Sequence, residues 1–360
     1  MKVLMFTNKL EMNDDMLGAV HDHVKKLAEK VDKLIIICLE KGNTQFPENV
    51  EIHSLGKEKK YSKLRLLLRA PKLFFRTVPR VDVIFCHMNP EYTLMIAPFA
   101  KLFGKPIVSW YGHPEVSFKL RLMNLLTNVI ATSDKTGCLL PSKKVRYVGY
   151  GINTRQFRPL KQTNENVIIW LGRLSRIKKI ELLVEAVNIL VNKRNMKNIK
   201  VMICGGPWNN DTRLYQAELI DLIKKYGLEK NFNFTGFIPN VKAVDYYNMA
   251  KFAVSMVEAG GYGKTNLEAM SCGRPLITCS KAFDDVINKY RKDLFFKTDD
   301  VEDLAGKMES MLKKSDEEIS KIGIYLRALM VEKFDSDAFL NNLIGIFKDL
   351  TGKNQVETSS

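Results

Sequence analysis

The sequence predicts an α/β protein made of two doubly wound parallel-sheet units. Three observations carry this. Short apolar runs alternate with helical stretches along nearly the whole chain, the pattern of parallel strands joined by crossover helices. Two apolar runs in the second half end in glycine-containing loops, one rich in glycine and leading into a helix, the other followed by fixed cations. At 360 residues the chain is long enough for two domains of ordinary size, each with its own core.

In the first half, Lys2–Phe6 is an apolar strand, and a helix starts at Gly18 with Val20, Val24, Leu27 and Val31 near one face. His21 and His23, two apart on this helix, cannot share a face; they are ligands or proton carriers, or they pack. Leu34–Leu39 is the next buried strand. Lys57–Arg80 holds nine Lys/Arg and one acid, Glu58, with Leu64, Leu67, Leu68, Phe74, Phe75 and Val78 near helical spacing. Pro71 kinks this helix or divides it. A basic helix with an apolar face lies on an anionic membrane or packs its stripe into its own domain. Val81–Cys86, Pro106–Trp110 and Asn128–Thr132 are further strands, with an apolar helix at Pro90–Phe103. Ser133 or Asp134 stands where it can cap a following helix.

The second half repeats strand then helix: Val167–Leu171, Ile180–Asn192, Val201–Gly205, Leu214–Tyr226, Phe232–Phe234, Val241–Ala250 and Phe252–Val257. Then come a loop with three glycines in residues 259–263, a helix from Lys264, and the strand Pro275–Cys279. A glycine loop entering a helix turns backbone amides and the positive helix end toward an anion, typically a phosphate. The plainer alternative is an ordinary strand–helix corner. After Val167–Leu171 come Gly172, Arg173 and Lys178; Arg offers phosphate a planar fork and Lys a point charge, whereas the same run can be a solvated basic turn.

The net charge is +16. Residues 1–160 hold 26 Lys/Arg against 14 Asp/Glu, a balance of +12, so the first half favours an anionic partner: membrane surface, acidic glycan or nucleic acid. Six cysteines form no CxxC pair and read as reduced core residues, not as a disulfide frame or metal site. No N-terminal signal pattern appears and no apolar run approaches membrane-spanning length, so the expected place is the cytoplasm. Asp335-Ser336-Asp337 has the spacing of a metal-binding DxD but sits between two helical stretches, away from every glycine loop; it reads as a helix cap, and no metal is expected.

Gly-Arg-x4-Lys at 172–178 and Leu-Glu-Ala-Met-x-Cys-Gly-x-Pro at 267–275 together resemble the donor-binding half of the nucleotide-sugar glycosyltransferases of family 4. The resemblance implies the GT-B fold: two Rossmann-like domains facing across a cleft. Residues 1–160 would bind the acceptor and 161–337 the donor, with a helix near 338–351 packing back on the first domain and a flexible tail at 352–360. Residues 145–159 resemble the family's crossing between domains, with Asn153 where Asp is usual, and 161–166 would be the linker.

The same resemblance assigns roles. Arg173 and Lys178 would stabilise the departing diphosphate, with Gly172 beside them. Glu268 would hold the ribose, although a carboxylate in a first helical turn also suits the helix dipole. Gly236, Phe237 and Ile238 resemble the segment whose backbone reads the base. Gly261, Gly263, Lys264 and Thr265 would contact the donor, and Gly18 would let the backbone approach its diphosphate. His113, at a strand's carboxyl end, resembles the family's histidine near the transferred sugar; this chain follows the Trp-Tyr-x-His order of a subset. The family often carries a second Glu where this chain has Gly260, and Glu258 or Lys264 stands in reach of that role.

The expected function is therefore retaining transfer of a hexose from a UDP- or GDP-linked sugar to a saccharide or lipid-linked acceptor. Neither a metal nor a prosthetic group is expected. The expected position is cytoplasmic, peripheral on the inner face of the cell membrane through residues 57–80, without nucleic acid. Two alternatives stay open. One is an epimerase or polysaccharide-elongating synthase of the same fold. The other is a non-catalytic membrane- or nucleic-acid-binding protein with a degenerate donor site.

Overall fold

The structure, a computed structural model, describes residues 1–12, 18–160, 166–258 and 261–353. The expected linker at 161–165 and the tail from residue 354 onward lie outside the described residues. The chain divides into two compact units: residues 1–151 with the segment from Ser336 onward, and Ile152–Asp335.

The first unit runs β1 (Lys2–Leu10), α1 (Gly18–Ala28), β2 (Lys33–Lys41), β3 (Val50–Ser54), α2 (Lys63–Thr77), β4 (Val83–His87), α3 (Pro90–Leu102), β5 (Ile107–Trp110), α4 (Phe118–Leu126), β6 (Val129–Thr132) and β7 (Val145–Tyr147). The strands pair in parallel in the order β3-β2-β1-β4-β5-β6-β7. A sheet covered on both faces needs strands that are apolar throughout, and Val3–Phe6 and Leu34–Cys38 are buried without a break. Their alternation sorts them. Val3, Met5, Leu34 and Ile36 meet α1 on one face, while Leu4, Phe6, Ile35 and Ile37 meet α2 and α3 on the other. The C-terminal helix (Ser336–Thr351) completes the first face with Phe339, Leu340, Leu343 and Phe347.

α2 runs through Pro71 as a single helix. No helix follows Thr132. Instead the Asp134 carboxylate accepts from the amides of Thr136 (2.5 Å) and Gly137 (3.1 Å) and from the Thr136 hydroxyl (2.6 Å), closing a tight turn. Side-chain bonds of this kind compete with a helix for the backbone, and here the turn wins. β3 is a strand that the sequence pattern does not reveal; its residues are all half-buried, as at a sheet edge.

In the second unit the strands and helices are β8 (Val167–Leu171), α5 (Ile180–Asn188), β9 (Lys200–Cys204), α6 (Asn210–Lys225), β10 (Phe232–Gly236), α7 (Asn240–Met249), β11 (Phe252–Ser255), α8 (Lys264–Ser271) and β12 (Leu276–Thr278). They are followed by α9 (Asp284–Ile287), α10 (Arg291–Leu294), α11 (Val301–Lys313) and α12 (Asp316–Lys333), which makes the C-terminal helix α13. The parallel sheet has the order β10-β9-β8-β11-β12. Capping boxes fix two starts: Asn209 with Thr212 at α6, and Ser315 with Glu318 at α12. The unit begins at Ile152, whose amide donates to the Phe334 carbonyl at 2.9 Å. Arg327 secures this entry by donating to the carbonyls of Thr154 (2.7 Å), Phe157 (2.7 Å) and Ser271 (2.9 Å).

All six cysteines are buried free thiols. Burial pushes Cys38, Cys86 and Cys204 up to about 12, which leaves them unreactive.

Candidate active site

In the second sheet β8 lies between β9 and β11. The chain leaves β8 toward one edge and returns to its other side with β11, so the carboxyl ends of these two strands flank the topological switch point. Open α/β sheets bind ligands there. The β8 end carries Gly172 and Arg173; the β11 end carries Met256 to Glu258.

Four cations follow β8, and tertiary contacts separate them into two pairs. Arg176 grips Glu218 with two bonds of 2.7 Å. Lys179 donates to both oxygens of Asp299, at 2.5 and 2.7 Å. Among the described residues no carboxylate pairs with Arg173 or Lys178. Arg173 is exposed, with its guanidinium carbon 5.2 Å from the centre of the Trp208 ring. Lys178 is half-buried, and burial, then the charge of Arg173, push its pKa below the ordinary lysine value. Two neighbouring cations without a counter-charge, one of them partly desolvated, form a site that an anion stabilises.

Beyond β11, Gly261 and Gly263 adopt left-handed backbone at φ 76° and 69°. A Cβ on Gly263 would stand 3.1 Å from the Asn266 amide nitrogen. That nitrogen donates to the Tyr262 carbonyl (2.9 Å) and the Ser255 hydroxyl (3.2 Å), tying the loop to its strand. The Tyr262 ring packs edge-on against Phe283 and Phe334 at 5.1 and 5.0 Å. Gly263 gives α8 no side-chain cap, and a positive helix end of this kind favours an anion. Lys264 and Thr265, half-buried, open that helix, and Glu258 is exposed. Gly260 lies outside the described residues.

Glu268 sits one turn into α8, 2 % exposed. Its carboxylate accepts from the Tyr247 hydroxyl at 3.2 Å and the Asn240 amide at 3.5 Å. Burial raises its pKa, and the nearby charge of Lys264 opposes the rise.

On the other side of β8 three loops converge. A Cβ on Gly205 would fall 1.9 Å from the Gly172 carbonyl oxygen, and one on Gly206 would fall 2.8 Å from the Phe237 ring. The two glycines therefore let the loops after β8, β9 and β10 close together. Phe237 is exposed, Ile238 half-buried, and Trp208 is exposed beside Arg173. Sequence reasoning missed Gly205, Gly206 and Trp208. The signal was available: Gly205-Gly206-Pro207 directly follows an apolar run, as Gly172 does.

In the first unit His113 is exposed in the loop after β5, and its Nδ1 accepts from the Glu115 amide at 3.1 Å. The neutral ring then carries its proton on Nε2. Gly18 is the first residue of α1. His21 and His23 pack: Nε2 of His21 accepts from the Gln45 amide (3.1 Å), and Nε2 of His23 lies 2.8 Å from the Gly151 carbonyl.

A cavity of about 540 Å³ opens between α12 and the turn after α8. It lies toward the amino ends of the strands, near Lys251 and Arg274, and none of the expected donor residues lines it. Its size is therefore no guide to the chemistry. Among the described residues no group of three or more His, Cys, Asp or Glu could hold a metal ion.

Residues 152–327 match the family model described as glycosyl transferases group 1. Through this unit, just under half of the chain, the protein is similar to the group 1 glycosyltransferases. Mannosylfructose-phosphate synthase of Agrobacterium fabrum is 24% identical over 177 residues, 46% of this chain and 39% of the relative. D-inositol 3-phosphate glycosyltransferase of Corynebacterium glutamicum is 25% identical over 170 residues, 45% of this chain and 39% of the relative. The chain thus spans about two fifths of the length of these curated relatives. Among solved structures, Anabaena HepE in complex with UDP has a TM-score of 0.73 at 14% identity, covering 97% of this chain and 100% of its own. A glycosyltransferase from Rickettsia africae has a TM-score of 0.75 at 15% identity, with 99% of each chain covered. At these identities the likeness is one of fold: the chain has the two Rossmann-like units of the GT-B class.

Proposed function

We propose that the chain transfers a hexose from a nucleotide-diphosphate sugar to a saccharide or lipid-linked acceptor, with retention of anomeric configuration. The observation that carries this reading is the unneutralised Arg173–Lys178 pair at the switch point of a group 1 glycosyltransferase unit. As the bond from the anomeric carbon to phosphate oxygen breaks, negative charge grows on the diphosphate, and these fixed cations stabilise it. The acceptor oxygen bonds to the anomeric carbon and its proton passes to the departing phosphate. Phe237 and Ile238 read the base, Glu268 the ribose, and the Gly261–Thr265 corner the phosphates. His113 donates from Nε2 near the transferred sugar. Glu258, two positions before Gly260, where the family often carries its sugar-binding Glu, takes that role. A UDP-linked donor is favoured, since HepE, of the same fold, was solved with UDP. The acceptor is reached from a peripheral position on the cytoplasmic face of the membrane.

The test is thermal unfolding with UDP, GDP, ADP and CMP. A nucleotide at about 100 times its dissociation constant adds roughly 2.7 kcal/mol to the native state. One diphosphate should raise the transition, and Arg173→Ala should abolish the rise. His113→Ala should leave the rise intact while lowering kcat for transfer. If no nucleotide shifts wild type, the reading fails.

A further inference from the structure

The helix α2 has two apolar stripes, and the fold uses one of them. Ala70, Phe74 and Thr77, with Leu66 and Leu73 beside them, face the core of the first unit. Leu64, Leu67, Leu68 and Phe75 recur at i, i+3, i+4 and i+11 on another arc and are 66%, 54%, 71% and 54% exposed. Arg65, Arg69, Lys72 and Arg76 fill the arc between, all exposed. None of these four has a carboxylate partner among the described residues, and α2 contains no acid. Exposed apolar side chains recur on a further helix of the same unit. Phe75 packs edge-on against Phe99 of α3 at 4.9 Å, α3 packs on α4, and α4 exposes Phe118 and Leu125, each 73%. Arg121 lies between them, exposed.

We infer that the α2–α4 face of the first unit is a docking surface for an anionic lipid bilayer. Charge decides the occupant. A row of four cations without a carboxylate partner, two of them (Arg65 and Arg69) over the Tyr61 ring at 3.8 and 5.3 Å, beside an apolar arc matches acidic headgroups above acyl chains. A second copy of the same face would bring cations against cations. Nucleic acid would leave the apolar arc in water, whereas acyl chains would cover it. The inference deepens the proposed function by placing a lipid-linked acceptor at this surface. It belongs to a different unit from Arg173, Lys178, Phe237 and Glu268, so vesicle binding and nucleotide binding can fail separately.

The experiment is flotation of the full chain with phosphatidylcholine vesicles, with and without about 30 mol% phosphatidylglycerol. Binding should be at least tenfold stronger to the anionic vesicles. Each basic residue near such a surface is worth about fivefold in partitioning, so Arg65→Gln with Arg69→Gln and Arg76→Gln should lose roughly a hundredfold. Leu68→Glu with Phe75→Glu should abolish flotation, and Phe118→Ser with Leu125→Ser should weaken it. All these side chains are exposed, so the UDP-dependent thermal shift should persist in every variant. Equal binding to both vesicles, absence of binding, or unchanged binding by both the Gln and Glu variants overturns the inference. So does equally tight binding of a DNA duplex that the Glu pair leaves unaffected.

Discussion

Arg173 and Lys178 show how much a single contact changes the meaning of a basic residue. Arg176 and Lys179, three and one residues away respectively, have the same chemistry but are neutralised by Glu218 and Asp299. Arg173→Ala or Lys178→Ala should cost about 2–4 kcal/mol of transition-state stabilisation, roughly 10² to 10³ in kcat/KM. Arg176→Gln should cost under tenfold, since its charge is already taken up by Glu218 in an exposed ion pair. Steady-state kinetics on the three variants checks this; equal losses would sink the division. Glu268 gives a pH signature. Its folded pKa is raised, so between the ordinary carboxylate range and that raised value the native state keeps a proton the unfolded chain has lost. Stability therefore falls as pH rises across this window. Glu268→Gln should flatten that part of the stability–pH profile measured by urea unfolding.

Among the elements, the loops after β8, β9 and β10 are joined by absence of side chains. Gly205→Ala places a methyl group on the Gly172 carbonyl, backbone against backbone, so one loop must move. The sheet below should stay paired, because Gly205 lies beyond the last residue of β9. The expected result is near-wild-type circular dichroism with donor affinity reduced at least tenfold by titration calorimetry, as the base and phosphate contacts separate. Unchanged affinity would show that the close approach plays no part in binding. The cations of the β8 loop and the glycine corner at α8 were legible in the sequence, because each is a contiguous run. Trp208 was not, since its link to Arg173 depends on strands β8 and β9 lying side by side.

For the whole molecule, the first unit is discontinuous in sequence. Phe339, Leu340, Leu343 and Phe347 of α13 are buried in a core otherwise made by residues 1–151. Burying four such side chains contributes about 6–12 kcal/mol, comparable to the entire stability of a domain at about 5–15 kcal/mol. A fragment of residues 1–151 should therefore lack a cooperative thermal transition and near-ultraviolet circular dichroism. Adding a peptide of residues 336–353 should restore both; a stable, cooperative 1–151 fragment would refute the role of α13. The amphipathic pattern of this last helix was visible in the sequence. Its destination came there from family likeness alone, because an apolar stripe specifies burial without specifying a partner.

By itself the sequence determined the parallel α/β class, the two units and the glycine and cation runs of the candidate site. Each of these follows from local periodicity and turn chemistry, which neighbouring residues fix. Tertiary structure decided what depends on distant partners. It showed which cations after β8 remain without a carboxylate, since Glu218 and Asp299 lie 42 and 120 residues from theirs. It turned Asp134 into a turn residue where a helix cap was expected. It also sorted the two stripes of α2, both carrying Leu and Phe, into one that fills the core and one that faces outward. Hydrophobicity makes a side chain eligible for burial; only the packing of the other elements determines which stripe is covered.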